Sequence, residues 1–373
     1  MTFTAFTSVF LLSFCSLFIF RKVAKKIGLV DKPSARKLHQ GAIPLVGGIS
    51  VVFTIVAGFL LFLPMTLNMA LFLVCSVILV VLGALDDFFD LSVKIRLVIQ
   101  ALISLAMLHI GEHSLHKLGY LMGSETIMLS PLLSGFITVF GVIGAINAFN
   151  MVDGIDGLLG GLASVTFSAL GWVFYYSGHE YLATVCLLIV TALIPYIMLN
   201  LGVPLGGRFK VFMGDAGSMF IGFAVVWMLI RGSQEAGVYA LQPVTALWLI
   251  AIPLLDMVTI MIRRICKGQS PFKPDREHLH HICLRIGLSS RQSLVLICSV
   301  AAIMASIGIW ADLNNVRESV MFIAFLCIFV VYFFVISHIW RITTLIHKLM
   351  GIKALIDSDV NSTQPIVEDN VKK

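Results

Sequence analysis

Apolar and polar positions fall in long alternating blocks along this chain. The apolar blocks run to about 20 residues, the length of a bilayer-crossing helix, and lack the ten-residue alternation of a membrane barrel. They predict an all-α polytopic membrane protein. About eleven transmembrane helices are expected, because a helix satisfies its own backbone in lipid. Their approximate positions are 2–20, 45–63, 67–85, 95–110, 132–149, 158–176, 181–199, 216–230, 239–262, 292–310 and 318–338. Gly47-Gly48 opens the second block and permits close helix approach. Pro253 and Asp256 interrupt the ninth, where a proline frees a carbonyl and kinks a helix. Residues 111–131 are mildly polar, and L-G-Y-L-M-G-S-E-T-I-M within them is expected as a small hairpin. Residues 1–357 read as one integral membrane domain, and 358–373 as a disordered cytoplasmic tail.

Composition agrees. Hydrophobic residues make up 59% of the 373 and charged residues 12%, against about 25% charged in a soluble domain. Arg21, Lys22, Lys25 and Lys26 follow the first apolar block. A signal peptide carries its charges ahead of its apolar core, so this block is a first span. All but three of the 26 Lys and Arg residues (Lys117, Arg231 and Arg317) fall on one side of the predicted bilayer. The positive-inside rule then puts the N-terminus in the periplasm and the C-terminus in the cytoplasm. The net charge of +6 is a topology signal and gives no reason to expect nucleic acid. The basic stretch 21–44 anchors that topology, and its sharper reading adds contact with anionic membrane lipid or a lipid-borne phosphate. Seven cysteines lie mostly inside apolar runs without a C-x-x-C pair, as small buried hydrophobes do.

The chemistry gathers at the inner ends of the spans, in clusters at 86–90, 94–100, 147–156, 208–218 and 275–281. In N-A-F-N-M-V-D-G-I-D-G, Asp153 and Asp156 sit where two apolar blocks meet. An ionised side chain in hydrocarbon costs about 3 kcal/mol on insertion scales, so such a pair calls for a compensating cation or partners. Asp86 and Asp90, four apart, share a face if the third helix continues through them, with Asp87 turned about 100° away. Asp86, Asp87, Asp153, Asp156 and Asp215 suit a hard divalent cation, which takes a few carboxylates and completes its shell with phosphate oxygens and water. Lys94, Arg96, Arg208, Lys210 and Arg276 suit phosphates. Acids, bases and the glycine-rich loop 200–218 together point to phosphoryl chemistry. Bland readings stand beside these. Asp90, Asn147, Lys94 and Gln100 also read as helix-end polar groups. G-D-A-G-S also reads as a helix start with Asp215 as N-cap. Asp256 reads as a partner for Arg263 or Arg264 as readily as a catalytic group. His278, His280 and His281 fit no usual tetrahedral zinc set, and phosphate binding or acid–base positioning is favoured over a loop cap.

L-D-D-F-F-D (Leu85 to Asp90) with Lys94, N-M-V-D-G-I-D-G (Asn150 to Gly157), V-F-M-G-D-A-G-S (Val211 to Ser218) and H-L-H-H (His278 to His281) occur in this order. With P-S-A-R-K-L-H (Pro33 to His39) and G-A-I-P-L-V-G-G (Gly41 to Gly48), the chain resembles the polyprenyl-phosphate N-acetylhexosamine-1-phosphate transferases along nearly all its spans. The branch it resembles transfers N-acetylglucosamine 1-phosphate. The histidine motif departs from the histidine triplet of the lipid I-forming relatives, which speaks against a muramoyl-pentapeptide donor.

The resemblance implies a bacterial inner-membrane enzyme with its active site facing the cytoplasm. It would transfer N-acetylglucosamine 1-phosphate from UDP-GlcNAc to undecaprenyl phosphate, release UMP and start surface polysaccharide synthesis of the O-antigen or enterobacterial common antigen type. It implies Mg²⁺, or Mn²⁺, at Asp215 with help from Asp86 and Asp87. Asp86, Asp87, Lys94, Asp153 and Asp156 are expected to carry catalysis. Asn150, Arg208, Lys210, Arg276, His278, His280 and His281 are expected to bind substrate. A homodimer is a family-like expectation. The alternatives are a related transferase using another UDP-N-acetylhexosamine, or a transporter of phosphorylated or polyprenyl-linked solute. The lipid phosphate is already a nucleophile near neutral pH, since its second ionisation lies near about 6, so a single displacement is expected. The rival is a two-step path through a carboxylate.

Overall fold

In the computed structural model the described residues are 2–31, 41–123, 125–235, 237–271 and 277–338. Their elements, in chain order, are α1 (Thr2–Ile27), β1 (Val30–Asp31), β2 (Ile43–Pro44), α2 (Gly47–Phe62), α3 (Leu67–Phe89), α4 (Val93–His109), β3 (Lys117–Gly119), β4 (Ile127–Met128), α5 (Pro131–Val152), α6 (Leu158–Tyr176) and α7 (Glu180–Asn200). A 3₁₀ turn (Gly207–Phe209) then leads to α8 (Gly214–Gln234), α9 (Pro243–Leu249), α10 (Ala251–Cys266), α11 (Leu279–Arg285), α12 (Ser290–Leu313) and α13 (Glu318–Ser337).

The protein is a polytopic membrane protein. Eight described helices are long and apolar enough to cross a membrane: α1, α3, α5, α6, α7, α8, α12 and α13. Helices α9 and α10 pass the same test only as a pair, bent by 83°. The break has a local cause. Pro253 lacks an N–H, and its ring clashes with the carbonyl of Leu249, where α9 ends. Helix α2 is apolar but only 16 residues long. Helix α4 carries Lys94 and Arg96 in its first turns and falls outside the eight.

Two short antiparallel pairs qualify the all-helical expectation. β1 pairs with β2, and β3 pairs with β4 as the expected hairpin. The expected disordered tail, 358–373, lies outside the described residues.

Helix starts follow from side chains that satisfy first-turn N–H groups. The Thr66 hydroxyl accepts from Met69 N–H at 3.2 Å ahead of α3. Ser289 and Gln292 form a reciprocal capping box ahead of α12. At the other end of α3 the chain leaves the helix at Asp90, whose φ of 52° is left-handed. Asp90 is therefore exposed while Asp86 is buried, and the shared helical face expected for the two does not form.

Helix α8 is the centre of the fold. It packs against α2, α3, α5 and α6, and nearly every side chain from Gly214 to Gln234 is buried. Glycines set its depth. A Cβ on Gly48 of α2 would stand 2.1 Å from Gly217 N, and one on Gly83 of α3 would stand 2.3 Å from Ala216 N. In lipid, where apolar burial drives helices together only weakly, such backbone contact is the main source of packing. It also brings the end of α3 onto the start of α8, where the acidic motifs meet.

Candidate active site

Four segments converge around the first turn of α8: the end of α3, the loop from α5 to α6, the loop from α7 to α8, and α11. Asp86 is buried, and its Oδ2 lies 2.5 Å from Arg96 Nη1. Its Oδ1 accepts the Leu91 N–H at 2.8 Å. The left-handed turn at Asp90 makes this pair, because it folds the start of α4 back onto the end of α3. The same Arg96 nitrogen lies 3.8 Å from Asp215 Oδ2.

Asp87 faces α8. Both its oxygens accept the Asp215 N–H, at 3.1 and 3.0 Å. The expected role of Asp215 as N-cap is thereby corrected. Met213 holds the cap position without a side-chain bond, Asp215 lies in the first turn, and the carboxylate serving that turn comes from α3. Asn150 Nδ2 donates to Asp215 Oδ1 at 2.7 Å and to Ser218 Oγ at 2.8 Å. One Asp215 oxygen is thus fixed by an amide, and the other faces Arg96.

The loop after α5 carries Asp153 and Asp156. Lys210 Nζ contacts Asp156 Oδ2 at 2.6 Å. Asp153 has an exposed surface but is crowded by protein and faces Asp215 and Asp156. Burial first, and those two carboxylates next, push its pKa up to about 7. Water reaching the carboxylate screens part of that effect. Gly154 is the seat of the histidine helix. A Cβ there would fall 1.9 Å from His280 Nε2, so only a bare backbone lets that ring lie against the acidic loop. His280 is buried, with its pKa pushed down to about 3 by burial and then by His281 and His278. Its ring is therefore neutral, and its Nε2 is buried without a hydrogen-bond partner among the described residues. The His281 ring lies tilted against it, with centroids 4.2 Å apart.

His278 takes the partner that Asp256 was expected to share with arginine. His278 Nδ1 lies 2.8 Å from Asp256 Oδ2, and Asp256 Oδ1 accepts from Leu279 N–H at 3.0 Å and Tyr332 O–H at 2.8 Å. Arg263 pairs with Glu277 at 2.9 Å instead. The structure thus brings together Asp86, Asp87, Asn150, Asp153, Asp156, Lys210, Asp215 and His280. It does not draw Lys94 or Arg208 into the acid cluster. Lys94 is exposed at the start of α4, and the Arg208 guanidinium lies 6.0 Å from the ring of Phe209. Arg276 lies outside the described residues.

Asn200 is a site residue that sequence reasoning missed. It is buried at the end of α7, accepts the Gly157 N–H at 2.5 Å and donates to the Val211 carbonyl at 2.8 Å. One amide therefore ties the acidic loop to the loop before α8. Its signal was an amide closing an apolar run. Arg96, expected to suit phosphates, is instead the counter-ion of Asp86.

The donor set fits a hard cation. Five carboxylates meet two paired basic side chains, and Asp87 and Asp153 have no ion-pair partner among the described residues. Among those residues no three His, Cys, Asp or Glu side chains converge on one metal position.

Residues 69–233 match glycosyl transferase family 4. The chain is 51% identical over 347 residues to the undecaprenyl-phosphate alpha-N-acetylglucosaminyl 1-phosphate transferase of Escherichia coli (strain K12), covering 93% of this chain and 94% of that protein. It is 50% identical over 342 residues to the Yersinia pestis protein of the same name, covering 91% and 93%. With the Haemophilus influenzae protein of that name it shares 46% over 340 residues, covering 91% and 95%. At this identity and coverage the chain belongs to glycosyl transferase family 4, among the undecaprenyl-phosphate alpha-N-acetylglucosaminyl 1-phosphate transferases.

Proposed function

We propose that this chain transfers N-acetylglucosamine 1-phosphate from UDP-GlcNAc to undecaprenyl phosphate and releases UMP. The observation that carries the reading is the meeting of Asp87, Asp215, Asn150 and Asp153 at the mouth of α8, with more carboxylate than basic charge. The names of the relatives add the acceptor and the transferred group.

In this reading the eleven helical segments cross the bacterial inner membrane, with α9 and α10 as one broken crossing. The N-terminus is periplasmic and the site faces the cytoplasm, as the basic loops require. A water-soluble donor and a lipid acceptor then meet at the interface. Anionic lipid against the basic inner face, and a homodimer, belong to the same reading.

Asp215 and Asp87 would hold Mg²⁺ or Mn²⁺. Bound there, the ion neutralises charge on the pyrophosphate and the leaving UMP. Asn150 keeps one Asp215 oxygen oriented, and Arg96 keeps Asp86 from competing for the ion. A lipid phosphate oxygen attacks the β-phosphorus of the donor. The bond from that phosphorus to the bridging oxygen breaks, and the electron pair leaves on UMP. Asp153, as carboxylate, orients the acceptor or takes its last proton. Lys210, held by Asp156, stands beside the donor phosphates. Purified enzyme with both substrates and Mg²⁺ is expected to release UMP, and chelation of the metal is expected to stop it. Solute flux without UMP would favour a transporter. Stoichiometric UMP release without acceptor would favour a covalent carboxylate path.

A further inference from the structure

Away from the acid cluster, two arginines share one aromatic ring. Arg21 of α1 and Arg208 of the 3₁₀ turn place their guanidinium carbons 5.1 and 6.0 Å from the ring of Phe209. An Arg21 Nη2–H donates to the Arg208 carbonyl. Arg21 Nε is buried without a hydrogen-bond partner among the described residues. No carboxylate of the described residues pairs with either arginine, and Asp156, which meets the same loop, is held by Lys210. Two like charges side by side with an orphaned donor form an incomplete anion seat, because guanidinium groups take phosphate oxygens in pairs.

The surroundings say what carries the anion. Phe209 stacks edge-on to Phe18 at 5.8 Å, and Phe18 to Phe14 at 5.1 Å, an aromatic column descending α1 into the membrane. Val203 and Leu205 are exposed on the adjoining loop, which adds apolar surface near the arginines. A free anion gains nothing from such walls, whereas a phosphate on an apolar tail uses both parts. We propose that Arg21, Arg208 and Phe209 form a seat for the phosphate of a membrane lipid. It lies two residues along the loop from Lys210 and is separate from the Asp87–Asp215 centre. The seat deepens the transferase reading, since a polyprenyl phosphate and an anionic phospholipid present the same chemistry to it.

The test uses the full-length protein in phosphatidylcholine nanodiscs doped with phosphatidylglycerol, with polyprenyl phosphate or with phosphate-free polyprenol. Retained lipid is counted by native mass spectrometry. Arg21→Gln and Arg208→Gln are each expected to lower retention of a phosphate-bearing lipid about tenfold, the scale of one lost charge-assisted contact. Arg208 is exposed, so its variant keeps the test open if Arg21→Gln fails to fold. Retention of phosphatidylglycerol or of polyprenyl phosphate supports the seat and names its source. Equal retention by wild type and both variants, or of polyprenol as well as its phosphate, overturns it. UMP release by the wild type is measured separately, so failure of the transferase reading is distinguishable from failure of the seat.

Discussion

Asp87 caps a helix it does not belong to. Its carboxylate receives the N–H of Asp215 across the α3–α8 contact. Helix termini favour negative charge at this end, so the bond stabilises α8 while aiming two carboxylates at one point. Asp87→Asn retains an oxygen for the N–H and loses the charge. The expected outcome is a loss of UMP release of at least about a hundredfold, at the scale of a missing catalytic charge contact. Thermal melting in detergent should register only about 1 kcal/mol, the scale of one cap.

Arg96 is the counter-ion of a buried acid. Arg96→Met leaves Asp86 charged and unpaired, at a cost of about 3 kcal/mol. The double variant Arg96→Met with Asp86→Asn should recover most of that stability without recovering activity. Melting curves of the three proteins check the first part, and turnover checks the second.

Asn200 satisfies a backbone N–H and a carbonyl from two different loops. Asn200→Ala orphans both, each costing about 1–3 kcal/mol where water does not enter. Expected readouts are a lowered melting temperature and a raised KM for the nucleotide donor. An unchanged KM with normal stability would remove Asn200 from the site.

Gly154→Ala inserts a methyl group where the His280 ring lies. Since the ring is buried, α11 must shift away from the acidic loop. Turnover is expected to fall more than tenfold, by about 1.4 kcal/mol or more in barrier, while α8 and the core keep their stability. Turnover and melting of Gly154→Ala are read beside those of the double variant Gly154→Ala with His280→Ala, in which the methyl has room and part of the loss should be rescued.

Asp153 gives the pH dependence its sign. With its pKa pushed up to about 7, the group stays protonated in the folded protein over a range where the unfolded chain has ionised. Its stabilising contribution is complete at acid pH and is lost as pH rises through about 7. Activity that needs the carboxylate runs the other way, rising through the same range. Asp153→Asn should flatten that rise in a pH–rate profile. A profile unchanged by the substitution would assign the limb to another group.

Much of the architecture was legible because apolar blocks of membrane length have few ways to fold. The break before α10 was also legible, since Pro253 acts on the carbonyl four residues earlier. The pairing of Asp86 with Arg96 was not. It depends on one left-handed residue, Asp90, ending α3 and reversing the chain, and an aspartate in that role looks like another member of an acidic run. The four motifs announced the chemistry, yet Asn200 and the Asp256–His278–Tyr332 contacts join distant segments and leave no local pattern. Tyr332 stands in an apolar run, where only a tertiary contact distinguishes it from a membrane-facing ring.

The seating of α8 against Gly48 and Gly83 has a consequence for how such an enzyme can diversify. A helix held backbone to backbone has no side-chain cushion, so it neither slides nor rotates without unpacking its neighbours. Its acidic end therefore acts as a fixed datum. New donor preferences would have to arise in the loops around it, at 201–210 and around α11, away from that helix-to-helix backbone contact. Substitutions along the α2, α3 and α8 contact would tend to abolish the catalyst before they could retune it.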